Sequence, residues 1–122
     1  RLIVKTAPRP RRENLDELPS ALEVVPLRDA AGTPLYRQVA YETSRGCPYR
    51  CSFCEWGTGA IGTKMYQFSL DRIRTDLDAL VAGGIQDIWL CDSNFGALRE
   101  DVDKAQMIID LRNRTGLPQT FA

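Results

Sequence analysis

The chain has 122 residues, 43% of them hydrophobic, and its 16 lysines and arginines balance 16 aspartates and glutamates. Zero net charge excludes a general electrostatic pull toward nucleic acid or an anionic membrane, and no apolar run approaches the roughly 18 residues a membrane span needs. With no histidine in these residues, Cys/His zinc fingers, Ser-His-Asp triads and Cys-His pairs are excluded for them as well.

Residues 1–38 read as an interdomain linker. Pro8, Pro10, Pro19, Pro26 and Pro34 recur too often for long helices. Within it, Leu2-Ile3-Val4 reads as a short strand and Asn14 to Leu18 as one helical turn before Pro19. Arg9, Arg11 and Arg12 read as a solvated basic run. The chain opens on Arg1 without an initiator methionine, and Leu117 to Ala122 reads as the lead-in to another strand. Both ends therefore suggest a piece of a longer protein.

Val39 to Thr43 alternates and is rich in strand formers, which predicts a first strand. Residues 44–68 show little periodicity, and connections of that length are uncommon in compact domains unless they carry function. Ser69 reads as an N-cap, followed by Leu70, Ile73, Leu77, Leu80 and Val81 on one helical face. Gly83-Gly84 ends that helix. Ile85 to Cys91 predicts a second strand and Asp92 to Arg99 a loop. Asp101 to Thr115 predicts a second helix with Val102, Ala105, Ile109 and the stem of Arg112 turned inward, stopped by Gly116 and Pro118. The order is βαβαβ, which implies an α/β fold with a parallel sheet and right-handed crossovers. In such folds the loops leaving the C-terminal ends of strands share one ligand-binding face. Neighbouring strands lie about 5 Å apart, so the loop after the first strand and the Asp92–Gly96 loop are expected to face one site.

The first of those loops carries Cys47, Cys51 and Cys54, spaced C-x3-C-x2-C. Clustered loop thiols make a poor disulfide framework and point to metal binding or catalysis in a reducing, cytoplasmic setting. Closed tetrahedral zinc or a fully ligated iron–sulfur cluster wants four protein ligands. Three thiolates can hold a four-iron cube by three corners and leave the fourth iron open to an outside molecule. Gly46 and Pro48 supply the bend. Arg45 and Arg50 either offset cluster charge or are surface charges. Cys91 is either a fourth ligand or a small core cysteine. Gly57 to Gly62 matches G-x-G-x-x-G, but no strand immediately precedes it and no helix starts within it. Its glycines suit backbone passing close to a bulky cofactor, or a flexible loop. Asp92, Ser93 and Asn94 sit at a strand end, where they either meet the ammonium or hydroxyls of a ligand or close an Asx-type turn.

The three cysteines, with Phe53 just before the last, resemble the signature of the radical S-adenosylmethionine (SAM) superfamily. Asn14 to Ser20, Glu42 to Pro48, Cys54-Glu55-Trp56-Gly57 and Asp92 to Gly96 together resemble its cobalamin-binding branch. The resemblance implies the N-terminal part of a partial (β/α)6 TIM-like barrel over residues 39–122. Residues 1–38 would then link it to a preceding cobalamin-binding domain. It implies that Cys47, Cys51 and Cys54 ligate a [4Fe-4S] cluster, that SAM chelates the open iron, and that Phe53 lies against its adenine. Trp56, Gly57, Asp92, Ser93 and Asn94 fall in segments that would complete the cofactor site. The family's Gly-Gly-Glu-type segment is missing after the second strand, where Asp92 to Asn94 stands instead.

The activity implied is methylation of an unactivated carbon in a peptide or natural-product substrate, using cobalamin and SAM. An electron donor such as flavodoxin or ferredoxin would serve any radical step; no nucleic acid or membrane is involved. Some methylases of the branch, among them the tryptophan C2-methylase of thiopeptide biosynthesis, use SAM only to remethylate cobalamin. The rivals are a non-methylating rearrangement or cyclisation in the same branch, and a zinc-binding structural module.

Overall fold

Strand-forming residues Val39 and Tyr41 alternate with exposed neighbours, and the run pairs with a second, more apolar one. A computed structural model of the chain describes residues 3–7, 12–54 and 64–122. Two 3-10 turns, Leu15–Glu17 and Ala21–Glu23, precede the regular elements. These are β1 (Gln38–Tyr41), β2 (Ser44–Arg45), β3 (Tyr66–Gln67), α1 (Leu70–Ala82), β4 (Asp87–Leu90), α2 (Asp101–Thr115) and β5 (Thr120–Phe121). β4 is the centre of a three-stranded parallel sheet in the order β1-β4-β5. Gln38 faces Asp87 and Tyr41 faces Leu90, so β1 and β4 end level. This mixed α/β arrangement with a parallel sheet agrees with the periodicity of the sequence.

Both helices contribute to one core. Ile73, Leu77 and Leu80 of α1, Ile108 and Leu111 of α2, Ile85 and Ile88 form a buried cluster, with Val39, Tyr41 and Phe121 packed against it. On β4, Trp89 alternates with buried Ile88 and is exposed. α1 begins as the sequence predicts: the Ser69 hydroxyl accepts the Arg72 N–H at 3.1 Å. Gly116 closes α2 in the left-handed region at φ 80°, where glycine meets no Cβ penalty. Among the described residues no helix is long and apolar enough to cross a membrane.

Three expectations fail. Ile3 and Val4 are exposed irregular chain, not a strand; among the described residues no neighbour supplies the ladder a strand needs. Leu2 lies outside the described residues. The long connection contains an antiparallel pair, Ser44 opposite Gln67 and Arg45 opposite Tyr66, which closes its base. Finally, α2 is turned relative to the expected face. Val102 is 74% exposed and Ile109 51%, while Asp101, Lys104, Ile108 and Leu111 point inward. The reason is a buried ion pair: Lys104 Nζ donates to Asp101 at 2.7 Å, and both side chains are almost fully covered.

The proline-rich segment is latched to the sheet and α1 through a second buried carboxylate. Asp76 accepts from the Ser20 hydroxyl at 2.9 Å, the Tyr41 hydroxyl at 3.2 Å and Arg72 Nε at 3.1 Å. Arg72 also donates to the Leu18 carbonyl at 3.1 Å. Burial pushes the Tyr41 phenol well above its ordinary range, and the Asp76 charge adds to this. The Ser69 N–H donates to Asp16 at 3.0 Å, and its hydrogen bonds hold the Asp16 carboxyl below the usual range. The helical turn expected at Asn14–Leu18 is present as the first 3-10 turn, its Asn14 side chain accepting from Asp16 N.

Asp101 also accepts from the backbone of Gly96 at 2.7 Å and Leu98 at 3.0 Å. Burial alone would raise its carboxyl, but the Lys104 ammonium and these two N–H groups outweigh it and hold it below the ordinary range. Replacing it leaves the Lys104 charge buried without a partner. Asp101→Ala is therefore expected to cost about 3–5 kcal/mol in urea unfolding of the full-length protein. A depressed folded pKa stabilises fully above the unfolded aspartate value of about 3.9. In the wild type this contribution is expected to disappear as pH falls through the lowered folded value, and in Asp101→Ala that part of the acid dependence should be missing.

Candidate cofactor site

Because β1 and β4 end level, the chain leaves both at the same edge of the sheet. The exit from β1 runs through Thr43 and Ser44 into the cysteine loop, and the exit from β4 runs through Cys91 into Asp92. Cys91 N donates to the Tyr41 carbonyl at 2.7 Å, one step beyond the paired strands. The two exits wall a cavity of about 340 Å³ lined by Cys47, Tyr49, Cys51, Phe53, Cys54, Cys91, Ser93 and Asn94. All four cysteines are free thiols. The two loops face one cavity, as the topology predicts.

The thiols differ in their setting. Cys47 is buried, Cys54 is intermediate, and Cys51 and Cys91 are exposed. Cys54 N donates to the Cys51 carbonyl at 3.2 Å, a local turn that keeps these two close together. The donor chemistry suits a thiophilic metal or an iron–sulfur cluster. Among the described residues, however, no three His, Cys, Asp or Glu side chains converge tightly enough to hold an ion in this geometry. The cysteines share a cavity without meeting at a point.

Cys91 is not the core cysteine that one sequence reading proposed. It follows the last paired residue of β4, with Sγ 3.7 Å from the Trp89 carbonyl. Phe53 is 90% exposed beside the thiols. Ser93 and Asn94 line the cavity. Asp92 does something that composition alone does not reveal. Its Oδ1 accepts the Thr43 N–H at 2.6 Å and the Ser44 N–H at 3.0 Å. Its Oδ2 accepts the Ser44 hydroxyl at 2.9 Å and the Thr43 hydroxyl. Thr43 and Ser44 are the functional positions that sequence reasoning missed; the only available signal was a hydroxyl pair at a strand end. Arg45 is paired with Glu42 at 2.6 Å and lies over the Phe68 ring, the arrangement of a surface charge. Arg50 is exposed. Trp56, Gly57 and the rest of the glycine-rich stretch lie outside the described residues.

No family profile matches the chain. A 2-(S-pantetheinyl)-carbapenam-3-carboxylate methyltransferase of Streptantibioticus cattleyicolor is 35% identical over 79 residues, covering 65% of this chain and 12% of that protein. The cobalamin-dependent radical SAM methyltransferase TokK of Streptomyces tokunonensis is 34% identical over 79 residues, with the same 65% and 12% coverage. A hopanoid C-2 methylase of Rhodopseudomonas palustris is 29% identical over 120 residues, covering 93% of this chain and 23% of that protein. The chain thus spans well under a third of the length of each of these relatives.

The entrance to the cysteine loop depends on Gly46. Its φ is 107°, and a Cβ there would lie 2.5 Å from the Lys64 carbonyl oxygen. Backbone cannot yield as a flexible side chain can, so Gly46→Ala is expected to separate β2 from β3. Amide hydrogen exchange should then show lost protection at Phe68, whose N–H donates to the Thr43 carbonyl beside this pair, with protection of α1 retained.

Proposed function

Proceeding from a chain related over part of its length to cobalamin-dependent radical SAM methyltransferases, we propose that it is the cluster-bearing part of an enzyme of this kind. In this reading residues 39–122 are the first βα units of a partial (β/α)6 barrel. Residues 1–38 connect it to a cobalamin-binding domain. The substrate is a peptide or natural product methylated at an unactivated carbon. A flavodoxin or ferredoxin supplies electrons where radical chemistry is used, and the setting is cytoplasmic.

One observation carries the proposal: Cys47, Cys51 and Cys54 line a single cavity with the Ser93–Asn94 loop at the C-terminal edge of the parallel sheet. Ligands of parallel α/β folds bind at that edge. Cys47, Cys51 and Cys54 would hold a [4Fe-4S] cluster, and the remaining iron would face the cavity and SAM. When bound, these groups and cobalamin supply one-electron reduction, radical chemistry and methyl delivery. The chain's own residues position and shield. Cys47 is fixed near the paired base of the loop, while the turn from Cys51 to Cys54 holds the other two thiols beside the same cavity. Phe53 offers an exposed apolar face for a flat ring. Ser93 and Asn94 offer hydroxyl and amide groups to the polar end of a ligand.

A second reading has its own support, since Cys91 lines the same cavity. Four thiolates would suit a structural zinc site. Anaerobic reconstitution of the full-length protein with iron and sulfide separates the two. The proposal expects a brown chromophore that Cys51→Ala abolishes and Cys91→Ala retains. Stoichiometric zinc without a chromophore, lost equally in both variants, would sink it. For the reaction itself, product mass is expected to rise by one methylene, which a rearrangement does not produce.

A further inference from the structure

The Asp92 carboxylate is fully engaged inside the protein. A carboxylate offers about four lone-pair sites, and here four donors take them, two on each oxygen. All four belong to Thr43 and Ser44, which are 2% and 1% exposed. Thr43 is held from the other side as well, its carbonyl accepting the Phe68 N–H at 3.1 Å just before α1. Ser44 begins the antiparallel pair with Gln67. Gly46 then presses against the Lys64 carbonyl, and buried Cys47 follows. No element intervenes between the clamp and the first thiol.

We infer that Asp92 is a positioning residue for the cysteine loop: it fixes the loop's root through Thr43 and Ser44, and so fixes Cys47, instead of contacting SAM. The polar contacts to a ligand then fall to Ser93 and Asn94. This inference rests on the cluster reading above, but its geometric half is independent of that reading. Asn is an informative replacement. Its amide oxygen can keep both backbone N–H donors, and its NH2 group can donate to both hydroxyls, which then act as acceptors. Ala removes all four bonds.

The test uses the full-length protein and three variants, Asp92→Asn, Asp92→Ala and the double variant Thr43→Val/Ser44→Ala, which deletes only the hydroxyl donors. In iron-free protein, the rate of Cys47 alkylation is read by peptide mass spectrometry. It is expected to stay slow in Asp92→Asn and to rise toward that of exposed Cys51 in Asp92→Ala. After reconstitution, iron affinity is expected to fall about 10–100-fold in Asp92→Ala, the range for lost support of a metal ligand. In Asp92→Asn it should match wild type, as should the change in the reduced cluster's EPR signal on adding SAM. If Asp92→Ala does not fold, the double variant decides, with faster Cys47 alkylation expected. Slow alkylation in every folded variant overturns the inference. So does an Asp92→Asn protein that loads iron normally but no longer responds to SAM, because Asp92 would then touch the ligand. A wild type that loads no cluster while Cys47 still responds to Asp92→Ala overturns the cluster reading and leaves the clamp standing.

Discussion

Parallel pairing of β1 with β4 places two chain exits side by side, and the site consists of what leaves by them. Gln38 opposite Asp87 through Tyr41 opposite Leu90 is a short ladder. Its register matters more than its length. Were β4 shifted by one residue, Ile88 and Trp89 would exchange faces, putting the larger ring into the space filled by Ile73, Leu77 and Leu80. The core therefore fixes the register, the register levels the strand ends, and the level ends bring Asp92 to Thr43. Each step is local packing or hydrogen bonding. Together they bring Cys47, Cys51 and Cys54 to one cavity with Cys91, Ser93 and Asn94, at least 37 positions further along the sequence.

Much of this was legible in the sequence where the physical signal is periodic. α1 was read correctly in its ends and its apolar face, because Ile73, Leu77 and Leu80 recur at helical spacing and a serine caps it, while the buried Asp76 beside them gave no such signal. The limits of α2 were read as well, but its face was not. Hydrophobicity favours Val102 and Ile109 as the buried residues, and a burial scale has no way to credit Lys104 with a partner three residues away. Mutual neutralisation by Asp101 reverses the ranking. The β2–β3 pair was illegible for another reason. Two residues per strand carry no periodicity, and their pairing is decided by closure of an intervening loop.

At the site the same contrast holds. Cysteine spacing announced thiol chemistry, and topology placed it beside the Asp92 loop. Sequence could not apportion work within Asp92-Ser93-Asn94, since all three are polar residues at a strand end. Only the positions of Thr43 and Ser44 separate the residue spent on scaffolding from the two left facing the cavity.

Asp76 has an implication for how this sequence can change. One carboxylate serves a serine from the proline-rich segment, a tyrosine from the sheet and an arginine from its own helix. Losing any one donor leaves the others bound to the same charge, whereas losing the carboxylate strands all three. Substitutions at Ser20, Tyr41, Arg72 and Asp76 are therefore non-additive. The four positions are mutationally one unit: a tolerable change at one alters which changes are tolerable at the others. That epistasis reaches from residue 20 to residue 76, joining a segment with little regular structure to the evolutionary fate of the sheet.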